Sequence, residues 1–251
     1  MIRGVIFDLG STLIHFDGDW DLVFEEGLHA LSRQLASAGV AFDAVTFRDA
    51  FRAEMETAQR VRLQDHVERT TESVLRRTLA GLSPRLMDDA QMERALRTLF
   101  AVSEARWQPM PGLHPTLEAL RAEGYRLGLV SNAGDESNVR RLLAAAGLEG
   151  VFDPQLVSAA EGVRKPDASL FQRVLAAWDL PPEAVVMVGD TLSEDILGAK
   201  RAGLRSIWFT ADVDTLANRA LADSLQPDAS TDSLLALPGL IRSLDGAGPP
   251  R

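Results

Sequence analysis

The chain of 251 residues contains no cysteine. That one absence excludes disulfides, thiolate metal sites, CxxC redox chemistry and a cysteine nucleophile. Histidine occurs four times, at His15, His29, His66 and His114, and never in the His-x3-His spacing of a helical zinc site, so a histidine-built zinc centre is not expected. Lysine is scarcer still. Lys165 and Lys200 are the only two among 26 basic residues, and every other basic residue is arginine. No run of about 18 apolar residues marks a membrane span. The opening residues, Met-Ile-Arg-Gly-Val-Ile-Phe-Asp, lack the long apolar stretch and small-residue cleavage site of a signal peptide, and a cytoplasmic protein is expected. Positive charge is in deficit, with 26 basic residues against 36 acidic ones and a net charge of −10. Such a balance disfavours nucleic acid and anionic membranes as partners, although a local basic pocket stays open.

What is present is ordinary globular composition, 46% apolar and 25% charged. At about 150 residues per domain, the length fits one large domain or one domain with a smaller insertion. Short apolar runs stop at polar residues: residues 2–7 at Asp8, 125–130 at Ser131-Asn132, and 184–188 at Gly189-Asp190. Residues 205–210 and, more weakly, 152–157 are further candidate strands. Helical stripes lie between them, through Leu113, Leu117 and Leu120, through Val139, Leu142 and Leu143, through Leu170, Val174 and Trp178, and over 196–202. Strands alternating with helices imply βαβ units and a mainly parallel sheet. Residues 20–104 break the alternation. Their apolar spacing is helical throughout, with helices around 20–35, 44–60, 64–80 and 88–104 and no convincing strand. The expected fold is therefore α/β, a Rossmann-like parallel-sheet core of residues 1–14 and 105–251 with an α-helical insertion at 15–104. Residues 108–112 read as a rigid turn at the far join, and the Gly/Pro-rich stretch from 245 onward reads as a frayed end.

In an open parallel sheet, the carboxyl ends of the strands share one edge, where ligands bind. Asp8, Ser131-Asn132 and Asp190 would meet there. Two carboxylates at one edge repel unless a cation lies between them, and Mg²⁺ suits an all-oxygen site of few carboxylates, water and phosphate. Lys165, in Arg164-Lys165-Pro166-Asp167, falls between the second and third strands and could neutralise a substrate's charge.

Taken in order, Phe7-Asp8-Leu9-Gly10-Ser11-Thr12-Leu13, Val130-Ser131-Asn132, Lys165-Pro166 and Gly189-Asp190-x4-Asp195 resemble the four motifs of the haloacid dehalogenase superfamily. The insertion resembles the helical cap of that family's first cap class. The resemblance implies a Mg²⁺-dependent hydrolase of small phosphate monoesters, with a small phosphorylated metabolite as partner and a monomeric or homodimeric state. It implies Asp8 as the nucleophile that forms an aspartyl-phosphate. It implies Ser131, with Asn132 beside it, as the phosphate-binding hydroxyl, and Lys165 as the charge that holds nucleophile and phosphoryl group together. Asp8, the carbonyl of Gly10, Asp190 and Asp195 are implied at the metal, Asp195 through water or as an orienter of Lys165.

One position departs from the pattern. The family's phosphatases usually carry an acid–base Asp two residues after the nucleophile, and here Gly10 stands there. A positioned acid and base contribute about 10² to 10⁴ in rate. His15 or Asp17 could supply the proton, the substrate could have a leaving group that needs none, or the protein could be a non-catalytic binder of a phosphorylated ligand or a protein partner. The family's dehalogenases also lack that Asp. They attack carbon without Mg²⁺ and usually have Ser and Asn in the last motif, unlike Asp190 and Asp195. Simpler readings stand beside these. Ser131 could cap a helix, Asp195 could serve a helix dipole, the acidic group Asp17, Asp19 and Asp21 could be solvated helix-start charge, and Arg60 and Arg62 could be a solvated face or reach a substrate anion.

Overall fold

The computed structural model describes residues 1–83, 87–211, 218, 221 and 224–245. Its main sheet contains β1 (Gly4–Phe7), β4 (Arg126–Ser131), β5 (Gln155–Val157), β6 (Val185–Gly189), β7 (Arg205–Phe209) and β8 (Ala229–Thr231), in the spatial order β5-β4-β1-β6-β7-β8. All pairings are parallel. β1 lies near the middle and is buried at every position, which is why Gly-Val-Ile-Phe has no polar alternation. Val5 and Phe7 join a core on one face with Leu117 and Leu120 of α5 (Leu113–Ala122), Val139 and Leu143 of α6 (Glu136–Ala145), and Ile241 of the last described helix, Leu237–Asp245. Ile6 points to the other face, with Leu170, Phe171 and Trp178 of α8 (Ala168–Trp178). Phe7 is opposite both Leu129 and Val188, so the residues that follow β1, β4 and β6 emerge at one edge.

The stretch expected to be helical folds into α1 (Trp20–Ser37), α2 (Ala44–Asp65), α3 (Thr71–Leu82) and α4 (Asp89–Glu104). These helices pack on their own apolar cluster, which includes Leu28, Leu31, Phe47, Phe51, Val74 and Leu96. Each large side chain fully buried there contributes about 1.5–3 kcal/mol. Asp19, Asp43, Thr70 and Asp88 cap the four N-termini, the last in a capping box with Gln91. Asp19 thus gives the acidic stretch near residue 20 a structural use. Among the described residues, no helix is long and apolar enough to cross a membrane.

Three expectations are corrected. Ile14–Phe16 straddles the expected boundary at 14/15 and Trp107–Pro109 overlaps the start of the expected turn; the two pair as antiparallel strands, β2 (Ile14–Phe16) with β3 (Trp107–Pro109), which bracket the four helices. The helix expected over 64–80 is interrupted. His66 caps α2 in the left-handed conformation, and Val67 forms an antiparallel bridge with Val163 before α3 starts. β8 was not foreseen, because Ala-Ser-Thr carries no apolar signal. The fraying expected from 245 onward concerns residues that, past Asp245, lie outside the described ones.

Candidate active site

The edge of the sheet collects the charged residues. Asp8 follows β1, with its N–H donating to Val188 O at 3.0 Å. Lys165 arrives on the loop between α7 (Ser158–Glu161) and α8, which Asp167 starts by accepting from Ser169 N–H at 2.8 Å. The Lys165 ammonium lies 2.5 Å from Asp8 Oδ1 and 2.7 Å from Asp195 Oδ1. Asp195 sits in a π-helical turn, Leu192–Ile196, and its Oδ2 accepts from Thr191 N–H at 2.9 Å. Such turns recur where a helix must aim a side chain into a site. Gly189 makes room for that carboxylate, because a Cβ there would fall 2.3 Å from Asp195 Cγ. Asp190 follows β6. Thr191 Oγ1 donates to its Oδ2 at 3.1 Å and Thr12 Oγ1 to its Oδ1 at 3.4 Å, while Trp208 Nε1 donates to its backbone carbonyl at 2.8 Å.

One oxygen from each of Asp8, Asp190 and Asp195 lies within 4.8 Å of the other two. Three carboxylates this close, with one ammonium, carry net negative charge in a buried space. Burial is the main force that raises the Asp190 carboxyl, to about 8, and the charges of Asp195 and Asp8 add to it. Burial also lifts Asp195 to about 7, against the pull of Lys165. Asp8 is likewise raised by burial, with Lys165 opposing. Burial acts the other way on Lys165, but Asp195 and Asp8 outweigh it and hold the ammonium protonated well above the ordinary lysine range. A small divalent cation with oxygen ligands would relieve this repulsion, so the donor set fits Mg²⁺ chemically.

Asp8, Lys165, Asp190 and Asp195 therefore meet as expected, and Ser131 ends β4, buried at the same edge. The side-chain amide of Asn132 is engaged by the Lys165 loop and Glu194. Its Oδ1 accepts from Lys165 N–H at 2.8 Å, and its Nδ2 donates to Lys165 O at 3.1 Å and to Glu194 Oε2 at 2.8 Å. Gly10 lies beside Trp107, whose ring edge would be 3.4 Å from a Cβ at that position. His15 is paired opposite Gln108 between β2 and β3, and Asp17 is exposed. Arg60 is exposed, whereas Arg62 is half-buried, with its Nη1 3.4 Å from Glu68 Oε1. The sequence reading missed Glu68, Ser158, Arg164 and Glu194. Arg164 and Glu194 each precede a predicted site residue, which was the available signal. Glu68 had none.

A sequence profile of haloacid dehalogenase-like hydrolases matches residues 2–203. The chain belongs to the haloacid dehalogenase-like hydrolases. A glyceraldehyde 3-phosphate phosphatase of Methanothermobacter thermautotrophicus is 28% identical over 85% of this chain and 88% of that protein. Its namesake from Pyrococcus furiosus is 36% identical, over 40% of this chain and 41% of that protein. A phosphoserine phosphatase of Thermus thermophilus is 36% identical over 46% of each. The match thus spans less than half the length of the last two relatives. Among solved structures of this superfamily, a 2-haloacid dehalogenase from Pseudomonas syringae pv. Tomato superposes with a TM-score of 0.68 at 27% identity, covering 97% of this chain and 99% of that one. A phosphatase from Thermococcus onnurineus has the same fold, with a TM-score of 0.66 at 22% identity over 96% and 98%.

Proposed function

We propose that this hydrolase is a Mg²⁺-dependent phosphatase of small phosphate monoesters that works through an aspartyl-phosphate on Asp8. The observation that carries the reading is the buried Lys165 ammonium between Asp8 and Asp195, beside the third carboxylate of Asp190. The phosphatase names of the relatives support the substrate class. Asp8, Asp190, Asp195 and the Gly10 carbonyl would hold Mg²⁺, which would supply positive charge to offset the negative charge of the phosphoryl group.

An Asp8 oxygen attacks phosphorus as the ester P–O bond breaks, and the departing oxygen takes its proton from solvent. Lys165 keeps Asp8 aimed and neutralises charge on the phosphoryl oxygens. The Ser131 hydroxyl donates to one of those oxygens, and Asn132 holds the Lys165 backbone. Water then attacks phosphorus and gives up a proton to solvent, the phosphorus–oxygen bond to Asp8 breaks with its electron pair returning to the carboxylate, and inorganic phosphate leaves. Residues 15–104 act as the cap that excludes bulk water and selects the leaving group.

A dehalogenase is the second reading, favoured by the likeness to the Pseudomonas syringae enzyme. The Asp190–Asp195 pair argues against it, because attack on carbon has no use for a cation site. One experiment separates the readings. p-Nitrophenyl phosphate and 2-chloropropionate are offered with Mg²⁺ and with chelator. The phosphatase reading expects nitrophenolate release that stops on chelation, and no chloride. Chelator-resistant chloride release would install the dehalogenase, and neither product from folded, Mg²⁺-bound protein would favour a binding role.

A further inference from the structure

The helical insertion sends one carboxylate into the core. Glu68 lies in the link between α2 and α3, and its side chain is 0% exposed. Its Oε2 accepts from the Ser158 hydroxyl at 2.6 Å and from Arg164 Nη1 at 3.3 Å. Its Oε1 accepts from Arg69 N–H at 3.0 Å and from Arg62 Nη1 at 3.4 Å. A carboxylate this buried persists only with such partners on both oxygens. The backbone reinforces the contact. Glu68 N–H donates to Gly162 O at 2.9 Å, Arg164 N–H to His66 O at 3.0 Å, and Thr71 N–H to Gly134 O at 2.8 Å. The insertion thus grips the two core loops that follow β4 and β5.

From Glu68 the bonds run on to Lys165. The second arm of Arg164 donates to Glu194 Oε1 at 3.0 Å, and Glu194 Oε2 accepts from Asn132 Nδ2 at 2.8 Å. Asn132 then clasps the N–H and C=O of Lys165. A shorter branch runs through Ser158 Oγ, which accepts from Ala133 N–H at 2.9 Å, next to Asn132. Arg164 is also joined to Lys165 by the chain itself.

We infer that Glu68 is a positioning residue: its docking sets the Asn132 and Lys165 loops, so that seating the helical insertion aligns Lys165 on Asp8. Asp8 and Lys165 carry the reaction, and Glu68 acts on them only through other residues, by Arg164, Glu194 and Asn132 on one branch and by Ser158 on the other. The catalytic half of this inference rests on the phosphatase reading, whereas the loop-setting half does not.

The test compares Glu68→Ala, Glu68→Gln, Arg164→Met and the double variant Glu68→Gln/Arg164→Met by two readouts. The first is p-nitrophenyl phosphate turnover with Mg²⁺, and the second is hydrogen exchange at the Lys165 amide. Each single variant is expected to lower kcat about 100-fold while KM moves by no more than about threefold, the scale of a small misplacement of a reacting group. The Lys165 amide is expected to exchange at least about tenfold faster. The double variant should be no worse than the worse single, since both residues act along one path. If Glu68→Ala does not fold, Glu68→Gln, which has the same shape and can still accept from Ser158, carries the test. Losses that multiply in the double variant overturn the inference, as does kcat within about twofold of wild type. Should wild type show no Mg²⁺-dependent turnover, the phosphatase reading fails and amide exchange alone decides: unchanged exchange at Lys165 overturns the loop setting, and faster exchange upholds it.

Discussion

Lys165 Nζ donates to Asp8 Oδ1 at 2.5 Å although 157 positions of sequence separate the two residues. The contact joins the end of the central strand to the loop before α8, and a third residue, Asp195, shares the same ammonium at 2.7 Å. With Lys165 only 1% exposed, little water is available to replace it. Lys165→Met should therefore cut turnover by at least about 10², comparable to losing one charge-stabilising donor at a transition state. Lys165→Arg should not rescue it, because a planar guanidinium does not fit a space made for an ammonium between two carboxylates. Steady-state kcat of both variants checks this, and an arginine variant with more than about a tenth of wild-type activity would contradict it.

Stability should depend on pH and Mg²⁺ together. With Asp190 raised to about 8 and Asp195 to about 7, the metal-free folded chain holds protons that the unfolded chain, with carboxyls near 3.8, has already lost. The folded state binds more protons across that window, so metal-free stability falls as pH rises from about 4 to about 8. Mg²⁺ should reverse the loss and release protons as it binds. Thermal melts at about pH 5 and about pH 8.5 should show the larger Mg²⁺-induced rise in Tm at the higher pH. Asp190→Asn should abolish most of that rise. A Mg²⁺ effect equal at both pH values would place the cation elsewhere.

Much of this site was legible in the sequence. A buried strand has to be apolar on both faces, so the residue that ends each run, Asp8, Ser131 or Asp190, stands out against it. The rarity of lysine drew attention to Lys165 for the same reason. What stayed hidden depends on partners far apart in the chain. Ile14–Phe16 and Trp107–Pro109 are each too short to announce a strand, and only their pairing across the insertion makes them one. Glu68 sits in a polar stretch that looks like solvated helix. Its burial comes from Ser158 and Arg164, which no local pattern around residue 68 contains. Asn132 was placed at the correct edge, but its amide faces the Lys165 backbone, a choice set by the loop after β5.

Gly10 should control which esters are hydrolysed. A Cβ at position 10 would lie 3.4 Å from Trp107 Cη2, an ordinary van der Waals contact, so the position accepts a side chain beside the indole. Gly10→Asp should raise turnover of an alkyl phosphate such as β-glycerophosphate by up to about 10²-fold, the lower end of what a positioned acid contributes. p-Nitrophenyl phosphate should gain far less, since nitrophenolate leaves without a proton. Measuring kcat on both esters checks this. Equal gains on both would mean that leaving-group protonation is not what position 10 limits.

The proposed reaction turns on transfer of the phosphoryl group to Asp8. Its most direct test is acid quenching of the wild-type protein during turnover of p-nitrophenyl phosphate with Mg²⁺, followed by mass analysis of the peptide that contains Asp8. A single phosphoryl adduct is expected on Asp8, lost on treatment with hydroxylamine and absent when Mg²⁺ is chelated. Turnover that proceeds with no adduct on Asp8, and that survives in Asp8→Asn, would contradict it.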